Sequence, residues 1–317
     1  MNKHFDSALR HKNSDLTEKL HEHHRGISGH TKLYCLLGNP VAHSLSPAMY
    51  NYSFLNHGID ACYTAFKVSE EDMPKALSAV CALGIKGGNV TMPGKTAAAK
   101  LCHELSDAAE IIGACNTFVN EGGRLIGHMT DGLGFTDSLR LRGYAPEQKR
   151  IVLLGAGGAA TAILVQCALE QAAQIHVFNR RSPRFIAIGQ VIERLKDHQP
   201  SVDIHLFDWT DVQQLQRSIA AADLLINATN IGMAPHIDQL PLPDVNCLRD
   251  DLAVADIIYN PEETKLMKCA REKGAPLVIG GHGMLLYQGR AAYKIFTGLE
   301  MPVKDVGREI FGIEILE

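Results

Sequence analysis

Three small residues at fixed spacing, Gly155, Gly157 and Ala160, carry the most readable chemistry in this chain. They lie in Ile151-Val152-Leu153-Leu154-Gly155-Ala156-Gly157-Gly158-Ala159-Ala160, which has the spacing G-x-G-x-x-A and joins a short apolar run to a helix-like stretch. In that setting the pattern predicts a dinucleotide-binding turn. Gly155 permits the tight turn, Gly157 lets the main chain approach a pyrophosphate, and Ala160 is small enough for close helix–strand packing. The helix that follows offers N–H groups and the positive end of its dipole to the phosphates. Ala156, Gly158 and Ala159 complete the expected cradle, and Gly281, in the later turn Gly280–Gly283, joins the cofactor set.

Some twenty residues further on, an NAD site usually has a carboxylate that accepts from the ribose 2′-hydroxyl. This chain has Asn179-Arg180-Arg181-Ser182-Pro183-Arg184 there. Planar guanidinium donors suit a 2′-phosphate, and neither Asn179 nor Ser182 repels one. The expected cofactor is therefore NADP, with NAD as the second choice, held by Asn179, Arg180, Arg181, Ser182 and Arg184.

The remaining chemistry-bearing residues fall in ordered blocks. They are Gly38-Asn-Pro-Val-Ala-His43-Ser44-Leu-Ser46-Pro47, Asn89-Val-Thr91-Met-Pro93-Gly-Lys95, Gly113-Ala-Cys-Asn116-Thr117 and Thr130-Asp131-Gly132. Near the other end stand Asp256-Ile-Ile-Tyr259-Asn-Pro261 and Gly283-Met284-Leu285-Leu-Tyr-Gln288. These six blocks, spread from about residue 33 to the end, resemble the shikimate/quinate dehydrogenase family, and in some details its broader quinate/shikimate paralogues. The resemblance implies NAD(P)-dependent interconversion of shikimate and 3-dehydroshikimate, with quinate and 3-dehydroquinate as a further pair. It places Ser44 and Ser46 on the substrate carboxylate. Thr91, Asn116, Tyr259 and Gln288 are assigned to the rest of a small cyclohexene or cyclohexane carboxylate, whose hydroxyls call for neutral donors and acceptors.

Lys95 and Asp131 are the expected catalytic pair. Hydride transfer to a ketone leaves an oxyanion that must receive a proton, and a lysine ammonium held at that oxygen donates it. A neighbouring carboxylate orients the lysine and favours its charged form. No metal is called for. Two departures bear on substrate identity: His128-Met129 precedes Thr130-Asp131-Gly132 where the family commonly has Asn, and His282 stands in the glycine turn. They leave open a dehydrogenase of an aminated or otherwise modified shikimate analogue. A non-catalytic sensor of a shikimate-like ligand is the rival from another class.

The elements that must position these residues alternate. Leu33–Leu37, Cys62–Phe66 and Ile85–Val90 read as strands, Pro47–His57 and Glu70–Leu83 as helices. A second α/β series follows: strand Ile151–Leu154, helix Gly158–Glu170, strands Gln174–Phe178, Leu224–Asn227 and Val254–Ile258, with the last helices from about Met284. Such alternation predicts an α/β protein of two domains with largely parallel sheets, the second a Rossmann-type doubly wound nucleotide-binding domain. With the family resemblance, residues 31–133 plus 284–317 are expected to form the substrate domain and 134–283 the NADP domain.

Composition agrees and excludes other classes. A chain of 317 residues suggests about two domains, and 46% hydrophobic against 21% charged residues is globular. A net charge of −4 gives no reason to expect nucleic acid or a membrane surface as partner. No run reads as a membrane anchor or signal peptide, and eight scattered cysteines without a C-x-x-C pair suit a reducing cytoplasm. Residues 1–30 read as a polar extension whose histidines (His4, His11, His21, His23, His24, His30) lack ligand partners at metal spacing. A homodimer is left open.

Overall fold

The computed structural model describes residues 27–314. Most of the polar extension expected over 1–30, with its histidines up to His24, lies outside the described residues. In chain order the elements are β1 (Lys32–Gly38), α1 (Ser46–Asn56), β2 (Ala61–Lys67), α2 (Met73–Ala82), β3 (Gly87–Val90), α3 (Lys95–Leu101), β4 (Glu104–Leu105), α4 (Asp107–Ile112), β5 (Thr117–Glu121), β6 (Arg124–His128) and α5 (Thr130–Arg140). Then come β7 (Arg150–Leu154), α6 (Gly158–Leu169), β8 (Gln174–Asn179), α7 (Pro183–His198), β9 (Asp203–Asp208), α8 (Val212–Ala221), β10 (Leu224–Asn227), β11 (Ala253–Asp256), α9 (Lys265–Glu272), β12 (Val278–Ile279) and α10 (His282–Thr297). The fold is α/β, in two compact units. One comprises residues 27–103, 117–126 and 292–314; the other comprises 104–116 and 127–291.

In the first unit β1 is the middle of a parallel trio, paired with β2 from Lys32↔Ala61 and with β3 from Tyr34↔Gly87. β5 then runs antiparallel to β3, with Gly87 opposite Val119, so this sheet is mixed. Its core is aromatic: Tyr50 stacks obliquely on Tyr63 at 4.5 Å, and Tyr34 lies between Phe54 and Phe296 at 5.2 and 5.1 Å. Tyr63 is fully buried, and its hydroxyl donates to Asn89 Oδ1 at 2.7 Å. Burying a phenol without such a partner would cost about 1–3 kcal/mol.

The second unit holds six parallel strands in the order β12-β11-β10-β7-β8-β9. Counted from β7 this is 3-2-1-4-5-6 reversed, the doubly wound nucleotide-binding order with its switch point between β7 and β10. β7 shows why the sheet needs helices on both faces. Ile151 and Leu153 point into one buried cluster with Ile163, Ile188 and Ile192, while Val152 and Leu154 point into another with Leu215, Ile219 and Leu266. A strand buried on both sides reads as an unbroken apolar run.

Several expected boundaries move, three of them for a clear local reason. The helix expected from Glu70 begins at Met73, because Ser69 Oγ accepts from Asp72 N at 3.1 Å in a turn and Pro74 sits in the first helical turn. The strand expected through Ile258 ends at Asp256, whose side chain accepts from Ile258 N at 3.1 Å and bends the chain. The last long helix starts at His282 rather than Met284, so His282 belongs to a helix and not to the glycine turn.

Candidate active site

In the first unit the blocks around Ser44 and Lys95 are brought together by an extension of the β1–β3 pairing. Thr91 N donates to Leu37 O and Asn39 N to Met92 O, both at 2.9 Å. A Cβ at Gly38 would lie 2.3 Å from Thr91 Cγ2, so only glycine lets this loop abut Thr91. Ser46 N donates to Ser44 Oγ at 3.2 Å; Leu45, not a serine, is the N-cap of α1, and Ser46 and Pro47 open the helix. The Lys95 strap is held from beneath by Asn89, which accepts from Tyr63 and donates through Nδ2 to Thr117 Oγ1 at 2.9 Å. Lys95 is half-buried and is the first residue of α3. A cation there opposes the helix dipole, so helix stability does not account for a lysine at this position.

In the second unit Asp131 stands in the first turn of α5, where the dipole favours a carboxylate. Asn116 Nδ2 donates to Asp131 Oδ1 at 2.7 Å and to Thr130 Oγ1 at 3.0 Å, and Asn116 Oδ1 accepts from Thr130 N at 2.8 Å. The buried Asn116 thus fixes both the start of α5 and the direction of its carboxylate. Two glycines then seat α5 tightly. A Cβ at Gly132 would come within 2.4 Å of Ala162 O on α6, and one at Gly134 within 2.4 Å of Gln288 N on α10. Asp131 and Gln288 are therefore on helices in main-chain contact. Gln288 Nε2 donates to Leu285 O at 3.0 Å, leaving its Oε1 as an acceptor. Tyr259 is 55% exposed, with its ring 6.0 Å from that of His282. Gly281 N donates to Ile258 O at 3.1 Å, tying that loop to the start of α10.

The glycine turn sits at the switch point of the second sheet. Gly155 has φ +116°, and a Cβ there would press on Ala228 O, just past β10, at 2.7 Å. Gly157 is the N-cap of α6 and no side chain caps the helix; the first intrahelical bond is Thr161 N to Gly157 O. The N–H groups of Gly158, Ala159 and Ala160 precede that bond, and a Cβ at Gly157 or Gly158 would meet nothing within 4 Å. Room above a helix start with uncapped donors fits a pyrophosphate. At the end of β8, Asn179 Nδ2 donates to Arg180 O at 2.8 Å, and Ser182 caps α7 through Phe185 N. Arg180 and Arg184 are exposed; Arg181 is held by Asp208 through Nε–Oδ2 at 2.8 Å.

Two groups matter beyond the expected site residues. Asp208 is one. The other is a buried network at the ends of β10 and β11, centred on Asp256. Asn227 Nδ2 reaches both Asp256 oxygens at 3.1 Å, and Thr264 Oγ1 donates to Oδ2 at 2.8 Å. Burial pushes the Asp256 carboxyl above its ordinary range, against the pull of these donors. Asn227 Oδ1 accepts from Thr229 N and Oγ1 at 3.2 and 2.7 Å, so the network also shapes the loop that meets Gly155.

Residues 36–118 match the shikimate dehydrogenase substrate binding domain family, and residues 281–308 match the shikimate 5′-dehydrogenase C-terminal domain family. A shikimate dehydrogenase (NADP(+)) of Streptococcus uberis is 43% identical over 279 residues, which is 87% of this chain and 94% of that protein. The crystal structure of shikimate 5-dehydrogenase from Listeria monocytogenes, in complex with shikimate and NAD, is 39% identical with a TM-score of 0.87, covering 91% of this chain and 99% of that one. Quinate dehydrogenase from Corynebacterium glutamicum, in complex with NAD, is 30% identical with a TM-score of 0.80, covering 89% and 99%.

Proposed function

This chain belongs to the shikimate dehydrogenase family, and on that footing we propose that it reversibly interconverts shikimate and 3-dehydroshikimate with NADP as the preferred cofactor. The observation that carries the reading is the seating of α5 on the dinucleotide helix α6 through Gly132, which couples the Asp131 helix directly to the cofactor-binding turn. In the second unit, Asn116 aims the Asp131 carboxylate and α10 presents Gln288 beside the same helix.

NADPH, when bound, supplies the hydride that reduces the ketone carbon. Lys95 gives its ammonium proton to the oxygen on which negative charge develops, and in the oxidative direction takes it back. Asp131 accepts from the same substrate hydroxyl. Ser44 and Ser46 hold the substrate carboxylate by hydroxyl donation. Thr91, Asn116, Tyr259 and Gln288 serve the ring hydroxyls. By function, residues 31–133 with 284–317 carry the substrate and 134–283 carry NADP. The eight cysteines are spread along the chain with no C-x-x-C pair, which supports a reducing, cytoplasmic setting. No helix among the described residues is long and apolar enough to cross a membrane.

Quinate is a second substrate, supported by the likeness to the Corynebacterium quinate dehydrogenase. The test is a turnover panel of shikimate, quinate and an amino analogue with each cofactor. Shikimate with NADP should give the highest kcat/KM, with quinate slower. Absence of turnover with all three, alongside intact nucleotide binding, would favour a ligand sensor; exclusive use of the amino analogue would move the reaction to a modified ring.

A further inference from the structure

The end of β8 lacks the carboxylate that marks an NAD site, but an acid stands one strand over. Asp208 is the last residue of β9 and lies directly opposite Asn179 in the parallel register. Neighbouring strands run about 4.8 Å apart, and the adenosine ribose of a doubly wound fold sits at the end of the second strand. The Asp208 carboxylate is therefore within a Debye length, about 8–10 Å, of where a 2′-phosphate would bind.

Asp208 is also rigidly placed. Its Oδ1 accepts from Thr210 N and from Thr210 Oγ1, each at 2.9 Å. Its Oδ2 takes Arg181 Nε at 2.8 Å, and the Arg181 guanidinium lies over the Phe185 ring at 5.4 Å. Of the three arginines near the α7 start, Arg181 is thus the one already engaged. Arg180 and Arg184 make no ion pair with a carboxylate among the described residues.

We propose that Asp208 is a specificity-determining residue for the cofactor: by holding Arg181 it restrains the preference for a 2′-phosphate and keeps NAD usable. Arg180 and Arg184 then carry the phosphate contact, and Arg181 contributes little while Asp208 is ionised. The inference rests on the dinucleotide reading of this unit but not on the substrate.

Calorimetric Kd values for NADP and NAD with the full chain test it, and the two ligands differ only by the 2′-phosphate. In Asp208→Asn the released Arg181 should raise the NADP-over-NAD affinity ratio about fivefold at low salt. The gain should fall below about twofold in 1 M salt, where the Debye length is about 3 Å. Taking the ratio within one variant cancels any general loss of fold. Arg181→Ala alone should change the ratio less than about twofold, and in that background Asp208→Asn should lose most of its effect. An unchanged or lower ratio in Asp208→Asn would overturn the proposal. So would a tenfold loss of NADP preference in Arg181→Ala. A wild type that binds both nucleotides but does not turn over shikimate would sink the substrate reading and leave this one standing.

Discussion

Lys95 occupies the first position of α3, where a positive charge costs a helix about 0.3–1 kcal/mol, and this separates its role from stability. Lys95→Ala should lower kcat by roughly 10²–10⁴-fold, with a smaller change in KM and a stability change within about 1 kcal/mol. Steady-state kinetics beside a urea titration would show both; near-normal kcat would remove Lys95 from the mechanism. Ser182 offers a second clean substitution, because its hydroxyl caps α7 and aspartate is an equally good cap. Ser182→Asp should keep the helix and add like charge at the 2′-phosphate. Its kcat/KM with NADP should fall about 10- to 100-fold while NAD use changes far less. A parallel loss with both cofactors would point to damaged structure instead.

At the scale of elements, α5 is the piece whose placement matters most. A methyl at Gly132 would sit 2.4 Å from Ala162 O, a main-chain atom that cannot swing aside. Gly132→Ala should cost roughly 1–3 kcal/mol or more by overpacking and lift α5, with Asp131, off α6. A lower urea midpoint together with reduced kcat is the expected pair of results; full activity in a destabilised variant would show that the contact is structural only. The second sheet is also pinned at its other end, where Asp223 receives Arg150 N at 2.8 Å and the Arg150 guanidinium. Those bonds from Arg150 hold the Asp223 carboxyl below its ordinary value of 3.8. A depressed carboxylate contributes stability that is complete above the unfolded value and lost as pH falls through the folded one. Asp223→Ala should therefore cost about 1 kcal/mol near neutral pH, in keeping with a partly exposed pair. Melting curves of the variant and the wild type should converge as pH falls below 3.8. A gap that persists in acid would assign the loss to packing.

These elements also explain what the sequence could and could not reveal. β7 and α6 are legible because an apolar run buried on both faces meets a glycine turn whose spacing has a physical reason. The mixed first sheet is not, because β5 and β6 are short and turn through Gly122–Gly123, where Asn120 Oδ1 holds Gly123 N at 2.8 Å. β9 alternates polar and apolar through Asp203-Ile204-His205-Leu206, but nothing local announces that its last residue, Asp208, meets Arg181. Asn116 was legible as a polar residue, but its grip on Asp131 depends on the start of α5 folding beside it. Sequence spacing finds residues that a motif keeps close; contacts made through register between distant strands need the fold.

For the whole molecule, the net charge of −4 means that an anionic cofactor is attracted by local features and not by the overall field. The features proposed to do so are the uncapped start of α6 and the exposed arginines at the start of α7, both at the carboxyl ends of the second sheet's strands. Binding there adds to the stability of the folded state by RT ln(1 + [L]/Kd), about 2.7 kcal/mol at a hundred times Kd. A cooperative unit of 150–250 residues shifts by about 2–4 °C per kcal/mol, so saturating NADP should raise the Tm of the transition that includes this unit by roughly 5–10 °C. NAD at the same concentration should raise it less, since it lacks the 2′-phosphate that Arg180 and Arg184 are proposed to receive. Scanning calorimetry with each nucleotide is the check, and the salt dependence separates the terms: the NADP advantage should shrink as ionic strength rises, while the common shift, built on main-chain N–H groups and shape, should hold up better. A Tm that neither nucleotide moves would remove the dinucleotide site on which the reaction, the cofactor preference and the role of Asp208 all depend.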